Sequence, residues 1–285
     1  MYGVRRDTSR DMCAATGVPG ARGAGVTQGA AELYFYRDLL RMWTAREIKV
    51  RYTQSVLGAA WAILQPLSLM LMFNAVFSYV VRIPTDAIPY PLFSYTALLP
   101  WTFFSASISF AVPSLVQNMN LVTKIYFPRE ILPMAAVAAG LIDFLIAALV
   151  LVVMLAGYQV PLHRTVILVP VILLVQILLT LGVVLFASAV NVFYRDIRFV
   201  VPLAVQLWMY ATPIIYPTAL IPEHLRWLYM LNPMAGVIES YRDVVLRGAW
   251  PDWNGLGLAA VISAAVCAAG YAYFKRVEWQ FADFI

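Results

Sequence analysis

The sequence predicts an all-α membrane protein with six transmembrane helices. Hydrophobic residues make up 62% of the 285 residues and charged residues only 12%, whereas soluble domains carry about 25% charged residues. The mean hydropathy is +0.77. Six runs are long and apolar enough for spans, because a helix needs about 20 apolar residues to cross the hydrocarbon core. We place these spans at residues 57–81, 92–116, 131–158, 166–190, 199–221 and 256–274.

The chain before the first span divides into two parts. Residues 1–31 are rich in Gly, Ala, Arg and Thr and lack an apolar run, which predicts a disordered cytoplasmic tail rather than a signal peptide. Residues 32–52 alternate apolar and charged side chains at helical spacing, which predicts an amphipathic helix in the plane of the membrane. The side chains predicted to anchor this helix at the interface are Trp43, Arg46, Lys49, Arg51 and Tyr52.

The distribution of Lys and Arg predicts the orientation, because these residues accumulate on the cytoplasmic side of short loops. They precede the first span and also follow the second, fourth and sixth spans, as Lys124 and Arg129, Arg195 and Arg198, and Lys275 and Arg276. Both termini are therefore predicted to face the cytoplasm. The net charge of +5 flanks apolar spans rather than forming one basic face, which argues against a nucleic-acid partner.

The segment RYTQSVLGAAWAILQPL, residues 51–67, joins the interfacial helix to the first span. Gly58 would permit close approach of another helix, and Pro66 removes one backbone hydrogen bond within the span. The spacing resembles the opening of the membrane subunit of ABC-2 type polysaccharide export transporters, the family that moves O-antigen, capsular polysaccharide and teichoic acid. The residues that carry this resemblance are Arg51, Tyr52, Ser55, Leu57, Gly58, Trp61, Pro66 and Leu67.

The segment KIYFPREILP, residues 124–133, places charges and two prolines between the second and third spans. Pro128 suits the first turn of the third helix because its missing N–H would be unpaired there, and Glu130 suits the positive end of that helix. The segment resembles the part of the family that docks on a separate ATPase subunit. That resemblance assigns ATPase coupling to Lys124, Phe127, Pro128, Arg129 and Glu130. Taken alone, these charges would be interpreted as a topology signal of a cytoplasmic loop.

A third segment, residues 210–248, contains Pro213, Pro217, Pro222 and Pro233 ahead of a stretch with helical spacing. It resembles the re-entrant extracytoplasmic helices that lie between spans five and six in the family. An external loop that covers the bundle remains an alternative, because prolines end helices in any membrane protein. The three segments together identify residues 53–285 as an ABC-2 type transmembrane domain.

Asp143 is the ionisable residue inside a predicted span. Charge at that depth is costly and raises the hypothesis of a functional role such as a proton relay. Asp143 stands within about two to three helical turns of the cytoplasmic end of its span. A polar contact with another helix is the favoured interpretation.

Aromatic residues make up 14% of the chain, and several flank the outer ends of the predicted spans. Flat rings suit the C–H faces of pyranoses, but they also form the belts that anchor helices at membrane interfaces. Both interpretations stay open at this stage. The candidates for a channel or gate are Trp61, Trp101, Phe104, Trp208, Tyr210 and Tyr216.

No phosphate-binding loop of the G-x-x-x-x-G-K-[ST] type occurs in the sequence. No cofactor is therefore assigned to this chain, and ATP and Mg would be bound by the partner ATPase. His163 and His224 lie in separate loops without metal-ligand spacing, so no metal or catalytic site is predicted.

The resemblance implies a channel-forming subunit of an ATP-driven exporter of lipid-linked polysaccharide, such as an O-antigen-like glycan, in the inner membrane. It further implies a homodimer with two copies of an ATP-binding subunit. One alternative is a small-lipid or multidrug exporter of the wider family. Another is a membrane-embedded glycosyltransferase or acyltransferase, which would require carboxylates or histidines converging at one interface.

Overall fold

The computed structural model describes residues 36–53, 55–81, 88–124 and 127–281. The chain divides into Met1–Arg37 and Asp38–Ile285, and the fold described below is that of the second unit. The disordered tail predicted for residues 1–31 lies outside the described residues. Within the described ranges all regular secondary structure is helical, which confirms the predicted class.

Eleven α-helices are numbered here in chain order. The first six are α1 (Arg37–Tyr52), α2 (Ala60–Phe73), α3 (Tyr90–Ala111), α4 (Ser114–Gln117), α5 (Met119–Lys124) and α6 (Ile131–Gly157). The remaining five are α7 (Val169–Phe193), α8 (Ile197–Tyr210), α9 (Glu223–Met230), α10 (Pro233–Arg242) and α11 (Trp253–Val277). Helix α2 continues as a π-helical stretch, Asn74–Val81, and α10 as a π-helical turn, Asp243–Arg247. Turns of 3₁₀-helix are found at Arg164–Leu168, Thr218–Leu220 and Glu278–Gln280.

Four of the described helical segments are long and apolar enough to cross a membrane: Ala60–Ser78, Ile131–Gly157, Arg164–Phe193 and Trp253–Gln280. They coincide with the first, third, fourth and sixth predicted spans. Helix α3 coincides with the second span. Its 22 residues are long enough, but it is enclosed by other helices and carries several polar side chains. Six spans therefore remain a prediction.

Helix α8 coincides with the fifth predicted span but is shorter than expected. Its 14 residues cover about 21 Å at 1.5 Å per residue, less than the hydrocarbon thickness of roughly 30 Å. The helix ends at Tyr210, and Pro213 follows the cap residue Ala211 by two positions, where a proline commonly stops a helix. The predicted continuous span 199–221 thus ends in irregular backbone after residue 210.

Contacts between connecting segments show which of them share an end of the bundle. Arg46 of α1 donates a hydrogen bond to the Asn118 Oδ1 atom at 3.1 Å, and Lys275 lies 2.8 Å from Glu130. We call this end, formed by α1 and by residues 112–124, 127–131 and 275–281, the basic end. At the opposite end, Thr165 donates to the Val244 carbonyl at 2.8 Å.

Helix α3 forms much of the core and packs against α2, α6, α7, α8 and α10. Its buried polar contacts pair side chains with backbone groups of neighbouring helices. Gln176 of α7 donates to the Pro100 carbonyl at 2.7 Å, and Tyr95 donates to the Ala147 carbonyl at 3.0 Å. Because no water is available in a hydrocarbon core, such pairing is required there. It explains how the least apolar of the long helices occupies the interior.

The closest helix approach joins α7 and α11 at Gly182 and Gly270. A Cβ atom added to Gly270 would lie 2.2 Å from the Gly182 carbonyl oxygen, so only glycine fits. From the sequence we predicted a close approach of two helices at Gly58 instead. A Cβ atom at Gly58 would meet no atom of the chain within 4 Å, and its φ of +51° places it in a left-handed turn between α1 and α2. Within this chain, the predicted role of Gly58 is therefore wrong.

Candidate functional site

The carboxyl end of α1 is tied to α6 by a polar cluster around Asp143. The Arg51 guanidinium lies 2.9 Å from the Asp143 Oδ2 atom and also donates to the Ala136 carbonyl at 3.0 Å. Tyr52 donates from its hydroxyl to the Asp143 Oδ1 atom at 2.6 Å. Burial and this hydrogen bond raise the pKa of Tyr52 above its usual value. Asp143 thus has the polar contact with another helix that the structural interpretation predicted.

A cavity of about 310 Å³ lies beside this cluster, between α2, α3 and α6. Its polar lining includes Gln65 and Thr102 in addition to Arg51 and Asp143. Trp61 contributes an apolar wall and is 53% exposed. The cavity therefore combines a paired charge cluster with a ring that remains accessible.

The predicted interfacial residues differ in their environments. Trp43 is buried, with the Arg46 guanidinium 4.4 Å from the centre of its ring. Lys49 is exposed on the last turn of α1. Only 7% of the Arg51 side chain is accessible. Part of this helix thus packs against the bundle, while Lys49 remains free of it.

The residues predicted to couple with an ATPase lie at the basic end. Lys124 ends α5, and nothing is described of its side chain. Phe127 and Pro128 are buried, and Arg129 is half-buried. Helix α6 begins at Ile131, so Pro128 precedes the helix by three residues instead of lying in its first turn.

Glu130 caps the start of α6 and has an exposure of 0%, so a partner chain cannot contact it in this arrangement. Its Oε1 atom lies 2.8 Å from the Lys275 Nζ atom at the end of α11. Arg129 donates to the Glu278 carbonyl, and its guanidinium faces the Phe281 ring with a centroid distance of 5.9 Å. Sequence reasoning missed these partners, because Lys275 was assigned only a topology role.

The six aromatic candidates do not form one lining within the chain. Trp101 and Phe104 are buried, and their ring centroids are 5.6 Å apart. Trp208 packs edge-on against Phe104 at 5.2 Å. Tyr210 is 56% exposed, whereas Tyr216 is half-buried. Trp61, at the cavity beside α2, and Tyr210 are therefore the rings most open to a passing molecule.

A second charged cluster lies at the opposite end, around the fully buried Arg242. Its guanidinium donates to the carbonyls of Pro213 and Ile214, both at 2.7 Å, and lies 3.6 Å from the centre of the Phe93 ring. Glu239 lies 3.3 Å from this guanidinium. Burial lowers the pKa of Arg242 to about 10, so the group stays charged at neutral pH.

Arg242 holds the irregular segment after α8 against α3 and α10. The neighbouring Arg247 adds ion pairs with Glu239 at 2.7 Å and Asp243 at 2.6 Å. From the sequence we noted the prolines of this segment but extended the fifth span to residue 221, and we did not predict the buried cation that stabilises the irregular backbone. No pattern in the sequence distinguishes Arg242 from the other arginines of residues 210–248.

From the sequence we predicted no metal site among the histidines and carboxylates. His163 packs against Gly248, where a Cβ atom would lie 2.3 Å from the imidazole ring. In the part of the chain that the structure describes, no three His, Cys, Asp or Glu residues are placed to hold a metal ion. The charged clusters found here are ion pairs, between helices around Asp143 and within α10 and its π-helical turn around Arg242.

The long apolar helices and their paired interior charges define a multi-pass helical membrane protein. Residues 38–246 match the family model described as ABC-2 type transporter. The chain is 35% identical over 258 residues to the O-antigen export system permease protein RfbA of Myxococcus xanthus, which covers 89% of this chain and 98% of that protein. The chain therefore belongs to the ABC-2 type transporter family, so it is a transporter subunit and not an enzyme.

Two further relatives agree with this family. The O-antigen export system permease protein RfbA of Klebsiella pneumoniae is 32% identical over 249 residues, covering 87% of this chain and 95% of that protein. The Polysialic acid transport protein KpsM of Escherichia coli is 27% identical over 240 residues, covering 82% of this chain and 91% of that protein. The similarity thus extends over nearly the whole helical bundle.

Proposed function

We propose that this chain is the channel-forming subunit of an ATP-driven exporter of lipid-linked polysaccharide, with an O-antigen-like glycan as its cargo. The observation that carries the proposal is the similarity to an O-antigen export permease over 98% of that protein's length. Because the match includes nearly all of both chains, it is not limited to one shared helix pair. The resemblance of residues 51–67 supports the same conclusion.

The energy source is a separate ATP-binding subunit, present in two copies, that holds ATP and Mg. The absence of a phosphate-binding loop from the sequence supports this division of labour. The short helices α4 and α5, followed along the chain by Arg129, connect α3 to α6 at the basic end. We propose that this connection meets the ATPase. Since Glu130 is buried, we assign the contact to the more accessible parts of the segment.

The basic end faces the cytoplasm of an inner membrane in this proposal, since Lys and Arg accumulate on that side. Six spans result if α3 and α8 also cross, α8 with the help of the segment that follows it. Helices α9 and α10 have 8 and 10 residues, or about 12 and 15 Å. Their length suits re-entrant helices at the outer mouth.

We propose a homodimer, because six helices are few for a pathway that admits a hydrated sugar chain. Trp61 and Tyr210 are the candidates for contact with the glycan, since their rings are accessible in the single chain. Tyr216 is a further candidate at the outer end. The buried rings of Trp101 and Phe104 support the helices that carry these groups.

Complementation tests the proposal. A bacterium that lacks its own O-antigen permease would receive this chain together with its ATP-binding partner subunit. We expect surface polysaccharide to return, whereas the chain without the ATPase leaves lipid-linked polymer inside the cell. Export of a drug or a small lipid with no restored polysaccharide would favour the alternative cargo and contradict the proposal.

A further inference from the structure

We propose that Lys275 is a positioning residue for the coupling segment, defined here as residues 127–130. Its ion pair with Glu130 joins this segment to the carboxyl end of α11. A displacement of the segment by the ATPase then moves α11 and α7 together with α6. The inference rests on the proposed function, because it takes α4, α5 and Arg129, which precede or belong to this segment, as the place where the ATPase acts.

The ion pair is the first observation that carries this inference. The Glu130 carboxylate has an exposure of 0%, and the Lys275 ammonium approaches it to 2.8 Å. A buried carboxylate is costly unless a cation accompanies it. Lys275 also lies 3.1 Å from the Glu278 Oε2 atom, so the ammonium bridges two carboxylates. The start of α6 and the end of α11 are therefore electrostatically dependent on each other.

Neighbouring contacts strengthen the same joint. The Arg129 guanidinium donates to the Glu278 carbonyl, which adds a second link between the coupling segment and the residues after α11. Phe281 is fully buried, with its ring 5.4 Å from Phe274 of α11 and 6.0 Å from Phe193 of α7. The chain following α11 is thus packed between α7 and the coupling segment.

Helix α11 transmits any movement at this joint to α7, because the two helices touch along their backbones. A Cβ atom added to Gly270 would lie only 2.2 Å from the Gly182 carbonyl oxygen. On the other side of the bundle, α6 meets α3 at Gly140, where a Cβ atom would lie 2.7 Å from the Ser107 Oγ atom. One coupling segment is consequently connected to two tight helix pairs, covalently to α6 and α3 and through Lys275 to α11 and α7.

The test uses the full permease in complex with its ATPase. Lys275→Met removes the cation, and the double variant Glu130→Gln with Lys275→Met removes both charges of the pair, so that the fully buried position 130 carries no unpaired carboxylate. Lys275→Arg keeps the charge. Arg276→Met is the matched control, since this neighbouring cation on α11 is exposed. The measurements are permease amount, ATPase co-purification, ATP hydrolysis and surface polysaccharide per permease molecule.

We expect the double variant to accumulate and to retain its ATPase, yet to export about tenfold less polysaccharide per permease, within the usual range of coupling between sites. ATP hydrolysis continues, so more ATP is consumed per polymer. Adding Glu130→Gln to Lys275→Met lowers export per permease no further, since both changes break one pair. Lys275→Arg and Arg276→Met export normally.

A structural role alone would lower permease amount while leaving export per molecule at the wild-type level, and that result would overturn the inference. Normal export by a well-folded double variant would do the same. Failure of the wild-type complex to export polysaccharide is a separate outcome, because it contradicts the proposed function before any variant is compared. If the wild-type complex exports polysaccharide and the variants export as much, only the proposed role of Lys275 is contradicted.

Discussion

Arg51 and Asp143 form an ion pair of 2.9 Å between helix α1 and the long helix α6. Tyr52 donates to the same carboxylate at 2.6 Å. A carboxylate placed in an apolar helix therefore has both a cation and a hydroxyl donor at the carboxyl end of α1. This arrangement ties α1 to α6 and gives each carboxylate oxygen of Asp143 one hydrogen-bond donor, which supports a structural role.

The first prediction concerns this pair. Asp143→Ala leaves the buried Arg51 guanidinium without its carboxylate, which we expect to destabilise the protein by about 2–3 kcal/mol, somewhat less than for a fully buried pair. The double variant Arg51→Met with Asp143→Ala should lose less than the sum of the single changes. Thermal unfolding of the protein in detergent measures both. If Asp143→Asn is fully stable but abolishes export, the proton-relay hypothesis is favoured instead.

The second prediction concerns the contact between α7 and α11. Gly270→Ala places a methyl group where the Gly182 carbonyl lies, so we expect a loss of about 1–3 kcal/mol from overpacking. Gly257→Ala on the same helix is the control, because a Cβ atom there meets nothing within 4 Å. The readouts are membrane level and melting temperature. Equal behaviour of the two variants would mean that the helices separate readily at this point.

The third prediction concerns Arg242. Arg242→Met removes the donors to the Pro213 and Ile214 carbonyls, and each buried acceptor left unpaired costs about 1–3 kcal/mol. Limited proteolysis of residues 211–222 should become faster. Arg226→Met, which changes an exposed arginine at the same end, should leave the cleavage rate unchanged. Protection of this segment in the Arg242 variant would show that the guanidinium does not hold it.

The pKa of Arg242 also predicts a pH response. Burial lowers this pKa in the folded protein below its usual value, to about 10, so the folded state loses the proton first. The contribution of Arg242 to the free energy of unfolding is therefore constant below pH about 10 and increases only as the pH rises above that value. Comparing the melting temperature of wild type and Arg242→Met over the neutral range should give parallel curves. Curves that diverge near pH 7 would contradict a pKa of about 10 for Arg242.

The fourth prediction separates exposed from buried aromatic residues. Trp101→Ala should reduce membrane levels, because truncating a buried tryptophan costs about 3–5 kcal/mol. Tyr210 is 56% exposed, so Tyr210→Ala should leave membrane levels and ATPase assembly unchanged. If glycans stack on this ring, the variant loses about 1 kcal/mol of contact and accumulates lipid-linked polymer inside the cell. Normal surface polysaccharide in Tyr210→Ala would assign the ring to an interfacial belt.

The fifth prediction concerns stoichiometry. Native mass spectrometry of the complex in mild detergent should show two copies of this chain with two copies of the ATPase. The physical reason is the width of the pathway, because the six spans predicted for one copy are few for a hydrated polymer. A complex that contains one copy of the chain and still exports polysaccharide would contradict the homodimer.

Several structural features were predictable from the sequence. The apolar runs located the four long membrane helices, since hydropathy over about 20 residues is a local property. The prolines after residue 210 marked the segment in which α8 ends, although the predicted span continued to residue 221. The spacing in residues 51–67 and 124–133 indicated the ABC-2 family, which the match over residues 38–246 confirms.

The tertiary structure alone decided which side chains face one another. Lys275 pairs with Glu130, and Gly182 meets Gly270, although no pattern in the sequence links these positions. Helices that are apolar on every face carry little periodic signal to show how they are rotated. In lipid, helix contacts depend on small residues and a few polar groups rather than on burial of one apolar face. Local composition therefore predicted which segments insert into the membrane. The side-chain partners and the burial of charges depended on the rotation and depth of each helix.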